Sequence, residues 1–305
     1  MILALKYRPK TLQEVKGNEE LVTTLDSMLN DKESCPHSFL LTGPTGCGKT
    51  TIGRIIATRL NCFGSDLREI DSADFRGIDT IRDIRKNSQF MPLESDCRVW
   101  ILDEVQQLTK DAQSALLKIL EDTPPHIYFV LCTTDPQNLL STLKGRCSLF
   151  TVQPLNPEIM YGLLRRIVRS EGEILDKEIY DQIISGAEGL VRNAVQNLQQ
   201  VLESEPDQRL TVAKQAEERR TQTIELCRTL LKKESWKKVS SILEGLKEEK
   251  DVERIRRAVL GYCQSVVLKG GEIDRCGLIM EEFIEPFWNS GFPALVLACL
   301  RIVKS

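Results

Sequence analysis

"HSFLLTGPTGCGKTTIGRIIATRLN", residues 37–61, decides the fold. Its opening, "HSFLLT" (37–42), reads as a buried strand, and its close, "IGRIIATRLN" (52–61), places Ile52, Ile55, Ile56 and Leu60 on one face of a helix. Between them, Gly43 to Thr50 fits G-x-x-x-x-G-K-[ST] in the strand–loop–helix setting that a phosphate cradle requires. The glycines let backbone N–H groups turn inward on a phosphate at the helix N-terminus, and Lys49 sets a cation against the β- and γ-oxygens. Thr50 is the expected Mg²⁺ ligand. Thr45, Gly46, Cys47, Gly48 and Thr51 complete the cradle, with Cys47 as a small filler.

Outward from this loop, apolar runs alternate with helical patterns as far as residue 152. "LREID" (67–71), "RVWILDE" (98–104) and "IYFVLCT" (127–133) read as further strands. "DAQSALLKILED" (111–122) is a helix stopped by Pro124 and Pro125. The alternation predicts a parallel sheet covered by helices. "RVWILDE" delivers Asp103 and Glu104 to the carboxyl end of a central strand, where ligands of open α/β sheets collect. Asp103 is expected to hold Mg²⁺ through water, and Glu104 to orient or deprotonate an attacking water. Thr134, just beyond the next strand, is the candidate hydroxyl for that water or the γ-phosphate; read alone, it is equally a helix cap.

After "FTVQPLNPE" the sequence is written in helical period. Helices opened by Asn156 and Pro157, by Asp176 and after Gly189 form a small three-helix lid. "SEPDQRL" (204–210) reads as a linker. Five apolar stripes between Ile224 and Val303 then read as the core of a helical domain. The expected architecture is α/β followed by all-α, with boundaries at 1–152, 153–205 and 206–305.

Composition excludes several classes. With 305 residues, 41% apolar and 28% charged, the chain can bury more than one core. A net charge of −3 argues against nucleic-acid binding by bulk electrostatics, so any DNA contact must come from a local patch or an assembly. The ten cysteines include no C-x-x-C pair, which predicts core fillers and no zinc. His37 and His126 lie far apart and read as structural. No apolar run is long enough to span a membrane, and Lys6 and Arg8 follow the first residues too soon for a signal peptide. A cytoplasmic protein is expected.

"KYRPKTLQEVKGNEE" (6–20), the phosphate loop, "DEVQQLTKDAQSALLKILEDTPPH" (103–126), "CTTDPQNLLSTLKGRC" (132–147) and "GLVRNAVQNLQQ" (189–200) occur in that order. Together they resemble the AAA+ ATPase subunits of DNA polymerase clamp loaders, nearest to the bacterial gamma/tau type. The resemblance implies that Tyr7, Arg8 and Pro9 wrap the adenine, that Thr134 is sensor 1, and that Arg192 is the sensor-2 arginine of the lid. It makes Arg146 an arginine finger reaching a neighbouring subunit's ATP site, with the last domain as an oligomerising collar. Gly145 stands where the finger's motif has serine. The family's cysteine-ligated zinc module is missing, since Asn61-Cys62 runs straight into "FGSDLREID". The longer tail of the tau form is also expected to be absent.

The implied activity is ATP-driven opening and loading of a ring-shaped sliding clamp onto primed-template DNA. The implied cofactors are ATP and Mg²⁺; the partners are other clamp-loader subunits in a ring or spiral, pentameric in the family, together with clamp and DNA. Arg82, Arg85 and Lys86, on a helix within 74–90, are candidate phosphate contacts, although Asp79 and Asp83 interleave them. Another AAA+ motor and a non-hydrolysing structural subunit are the alternatives. The first lacks a visible winged-helix tail or pore-loop aromatics here, and Lys49, Asp103, Glu104 and Arg146 argue against the second.

Overall fold

The computed structural model describes residues 2–31, 35–72, 74–247, 252–268, 270–287 and 290–304. The chain divides into two units, residues 1–203 and 204–305. In the first, the element order is α1 (Leu3–Lys6), α2 (Glu19–Asn30), β1 (Ser38–Thr42), α3 (Lys49–Arg59), β2 (Leu67–Asp71), α4 (Ile78–Asn87), β3 (Arg98–Asp103), α5 (Lys110–Glu121), β4 (Ile127–Thr133), α6 (Ser141–Lys144), β5 (Ser148–Thr151), α7 (Pro157–Ser170), α8 (Lys177–Ala187) and α9 (Val191–Leu202).

All five strands are parallel, in the order β2-β3-β4-β1-β5. Strands covered on both faces are apolar runs rather than alternating ones, and β1 accordingly has every residue buried. One core, with Phe39, Leu41, Ile52, Ile55, Ile56 and Val130, packs α2 and α3 on one face. A second, with Leu40, Ile81, Ile84, Leu116 and Phe129, packs α4 and α5 on the other. The short β5 was not expected from the sequence. It has four residues, of which Phe150 alone is buried, and hydrogen-bonded register with β1 sets its conformation.

A buried ion pair fixes the loop between α4 and β3. Asp66 is fully buried and Arg98 nearly so, at 3.0 Å. Asp66 also accepts from the backbone N–H groups of Leu93, Glu94 and Ser95, while Arg98 donates to the carbonyls of Asn87, Phe90 and Met91. Burial by itself would raise the Asp66 carboxyl, but the donors from Glu94, Leu93, Arg98 and Ser95 outweigh it and hold it below the usual carboxylate range. Its stabilisation is therefore present above the unfolded carboxylate pKa and is lost as pH falls through the lower folded value. Arg98→Met leaves this carboxylate without its cation and is expected to destabilise the unit by about 3–5 kcal/mol. Urea unfolding followed at several pH values checks both statements.

Asn156 caps α7 through Oδ1, accepting from Ile159 N at 2.8 Å, with Pro157 as its first helical residue. Asp176 occupies the N-cap position of α8, yet its side chain makes no capping bond. Helices α7, α8 and α9 pack on one another, and α1 packs on α9.

The second unit contains α10 (Arg209–Leu231), α11 (Trp236–Leu246), α12 (Val252–Leu268), α13 (Ile273–Phe283) and α14 (Gly291–Lys304). The two units divide at the start of "SEPDQRL", in which Pro206–Gln208 form a 3-10 turn and Arg209 already opens α10. One apolar cluster, with Leu230, Leu243, Val259, Phe283 and Leu295, fills this unit. Buried Arg275 donates to Leu230 O and Ile302 O, so one cation meets two helix C-terminal ends. All ten cysteines are free thiols, and all but Cys147 are buried.

Candidate functional site

The sheet order puts β4 between β1 and β3, so the end of β4 lies between the phosphate loop and Asp103-Glu104. Gly43 N donates to Thr133 O across that gap. A Cβ at Gly43 would lie 2.3 Å from Val152 O, and its φ of +144° disfavours any side chain, so glycine is obligatory there.

A cleft of about 590 Å³ lies over these strand ends. Its walls contain Tyr7, Arg8 and Pro9, then Thr45 to Thr51, Asp103, Glu104 and Arg192, together with an apolar side formed by Val15, Leu155, Leu163, Ile167 and Val195. The structure thus brings together most of the residues singled out in the sequence. Gly43, Thr134 and Arg146 do not line the cleft.

Within it, Lys49 is buried and donates to Gly43 O at 2.9 Å and Pro44 O at 3.0 Å. Both partners are neutral carbonyls that an anionic phosphate would displace. Thr50 Oγ1 donates to Asp103 Oδ2 at 2.5 Å. This convergence of a hydroxyl and a carboxylate oxygen at the head of α3 is a hard donor pair that suits Mg²⁺. The Cys47 thiol is pushed up by burial, which outweighs Lys49 and Arg192 nearby, so it serves packing and is a poor nucleophile.

Glu104 sits in the left-handed region at φ +51°, an arrangement that costs about 1–3 kcal/mol for a residue with a Cβ. Its Oε2 accepts from Gln106 Nε2 and from Thr134 Oγ1, the latter at 3.1 Å. Thr134 therefore adjoins the acid pair through a side-chain bond, although it lies off the cleft wall. Gln106 was not singled out in the sequence; two positions past the acid pair, it reads there as an ordinary polar residue.

The three-helix layer is joined to the phosphate loop by main chain, Arg192 N donating to Gly46 O at 3.2 Å. Gly46 has φ +84°, and a Cβ there would approach Arg192 Cβ to 3.2 Å. The same layer holds the N-terminal segment. Tyr7 Oη and Lys6 Nζ both donate to Glu171 Oε1, and Leu3 N donates to Gln199 Oε1.

Arg146 is exposed and paired with Glu121 at 2.9 Å. Arg82 and Arg85 line a second cleft, between α4 and α5, with Lys118 and Asp111. Lys86 does not line it, and Arg82 is paired with Asp79 at 2.8 Å.

A phosphate-loop sequence after β1, an acid pair at the end of β3 and a helical layer bonded to the loop give this chain the fold of the AAA+ P-loop class. Solved structures agree on the fold: the Thermotoga maritima RuvB Holliday junction branch migration motor superposes with a TM-score of 0.60 at 21% identity, covering 76% of this chain and 79% of that one.

In sequence the chain is similar to bacterial DNA polymerase III gamma/tau subunits. It is 34% identical over 234 residues to the gamma/tau subunit of Mycobacterium tuberculosis, covering 69% of this chain and 40% of the relative. It is 33% identical over 217 residues to the tau subunit of Bacillus subtilis, covering 64% and 38%. With the gamma subunit of Buchnera aphidicola it shares 32% over 222 residues, covering 66% and 61%. The chain thus spans about two fifths of the length of the first of these relatives. The family described as DNA polymerase III, delta subunit, matches residues 64–156. No helix among the described residues is long and apolar enough to cross a membrane.

Proposed function

We propose that this chain is an ATPase subunit of a sliding-clamp loader, using ATP binding and hydrolysis to open a ring-shaped clamp and load it onto primed-template DNA. The observation that carries the reading is the division of one hydrolytic set between two places. Lys49, Thr50, Asp103 and Glu104 converge on the cleft, whereas Arg146 stands exposed and off it. A site so divided is completed by a neighbouring subunit, which makes turnover conditional on assembly. Similarity to DNA polymerase III gamma/tau subunits supports the replicative context.

In this reading, backbone N–H groups of Thr45 to Thr51 and the Lys49 cation hold the phosphates of ATP. Tyr7, Arg8 and Pro9 close on the base. Thr50 and Asp103 hold Mg²⁺, which neutralises charge on the β- and γ-phosphates when bound. Glu104 orients the attacking water, Thr134 contacts the γ-phosphate, and Arg192 reports the nucleotide to the helices from 157 to 202. The helical unit from 204 onward assembles the subunits, five in the family's arrangement, and Arg82, Arg85 and Lys86 are the candidate contacts to DNA phosphates. ATP-bound and ADP-bound assemblies then differ in affinity for clamp and DNA, and hydrolysis shifts the population between them.

The test is the ATP turnover of the full chain with its partner subunits, with and without cognate clamp and primed DNA. Stimulation by both together, abolished by Lys49→Ala, is the expected result. An unchanged rate in the complete assembly overturns the loader reading.

A further inference from the structure

Five hydrogen bonds around Gln106 assign every proton in a small network. Asp135 N donates to Thr133 Oγ1 at 3.0 Å, which leaves the Thr133 hydroxyl proton for Gln106 Oε1 at 2.7 Å. The amide orientation follows from its other end, because the side facing the acceptor-only Glu104 carboxylate must be the nitrogen, which leaves the oxygen to accept from Thr133. Gln106 Nε2 therefore faces the other way, toward Glu104 Oε2 and toward Thr134 Oγ1 at 2.9 Å. The Thr134 hydroxyl, accepting from Gln106, gives its own proton to Glu104 Oε2 at 3.1 Å. Thr133 is fully buried, so the backbone bond that starts this chain is shielded from water.

We infer that Gln106 is a positioning residue that holds the Glu104 carboxylate in place while the Thr134 hydroxyl changes partner. The inference rests on the hydrolytic reading of Glu104 and Thr134 and adds a coupling between them. A hydroxyl carries one proton, so Thr134 donates either to Glu104 or to a γ-phosphate oxygen, never to both. An amide nitrogen carries two, so Gln106 keeps one bond to Glu104 and one to Thr134 in either state. Arrival of the γ-phosphate thus removes one donor from Glu104 Oε2. A lone pair on that oxygen is then available to accept a proton from water, while the side chain stays fixed. Nucleotides without a γ-phosphate leave Thr134 on Glu104, and Oε2 keeps both of its donors.

The experiment compares wild type, Gln106→Met, Gln106→Asn, Glu104→Gln and the Gln106→Met/Glu104→Gln double variant in the full chain. Methionine keeps the volume and loses the bonds; asparagine keeps the amide one methylene too short. Misplacing a reacting group by about 1 Å costs about 10²-fold in rate, so both Gln106 variants are expected to lose about that much kcat with unchanged KM and unchanged affinity for a fluorescent ATP analogue. In single-turnover measurements the double variant should be no slower than Glu104→Gln alone, because Gln106 acts only through that carboxylate. Wild-type kcat in both Gln106 variants, or losses that multiply in the double variant, overturns the inference and leaves the hydrolytic reading standing. Wild-type turnover by Glu104→Gln instead removes the hydrolytic reading itself, and the role of Gln106 with it.

Discussion

Glu104→Gln is expected to lower ATP turnover by about 10²- to 10⁴-fold while the protein still binds ATP, because the amide keeps the size of the carboxylate but cannot take a proton from water. The substitution leaves the contacts that would hold the phosphates, Lys49 and the loop N–H groups, in place. Its left-handed backbone at φ +51° is also retained, since glutamine adopts that region about as readily as glutamate. The variant should therefore accumulate ATP-bound subunits, measurable as stoichiometric retention of labelled ATP after gel filtration. A variant that fails to bind ATP, or that turns it over normally, places the water-activating group elsewhere.

Arg146→Ala has the other large expected effect, a loss of about 10³- to 10⁵-fold in the assembled state, the range for an arginine finger supplied in trans. Glu121 pairs with the guanidinium in the isolated chain, but both side chains are about half exposed, and such a pair contributes about 0–1 kcal/mol. A contact worth so little does not oppose the proposed transfer of Arg146 to a neighbour's γ-phosphate. Mixing discriminates the mechanism: Arg146→Ala subunits, whose own clefts are intact, should regain turnover when mixed with Lys49→Ala subunits that supply arginines. If mixing restores nothing while each variant still assembles, Arg146 does not act across an interface.

Much of the first unit was legible because its signals are local. The phosphate loop is contiguous, and strands such as "SFLLT" and "IYFVLC" are mostly apolar and buried nearly throughout because both faces of the sheet are covered. Asp103 and Glu104 followed from their place at a strand end. What was not legible depends on residues distant in sequence. Gln106 acquires meaning from Thr133 and Thr134, 27 and 28 positions on, and Asp66 from Arg98, 32 positions on. Strand β5 takes its conformation from β1. In 204–210 a single proline and polar residues marked the junction where the two units divide, but not its 3-10 turn, whose start suits Pro206 because the missing N–H costs no bond there. Helix α4 carries Arg82, Arg85 and Lys86 as read, but the cleft that Arg82 and Arg85 line is shared with Lys118 of α5, 33 or more positions away.

The bond from Arg192 N to Gly46 O has a consequence for timing. It joins helix α9 to the phosphate loop through peptide groups alone, so it persists whichever side chain residue 192 carries. A rotation of α9 large enough to matter must therefore break that bond or turn the Gly46 peptide, which belongs to the wall of the cleft. In the proposed reading, the helical layer and the occupant of the cleft are thus coupled through this main-chain bond, and loss of nucleotide is expected to be linked to rotation of the layer.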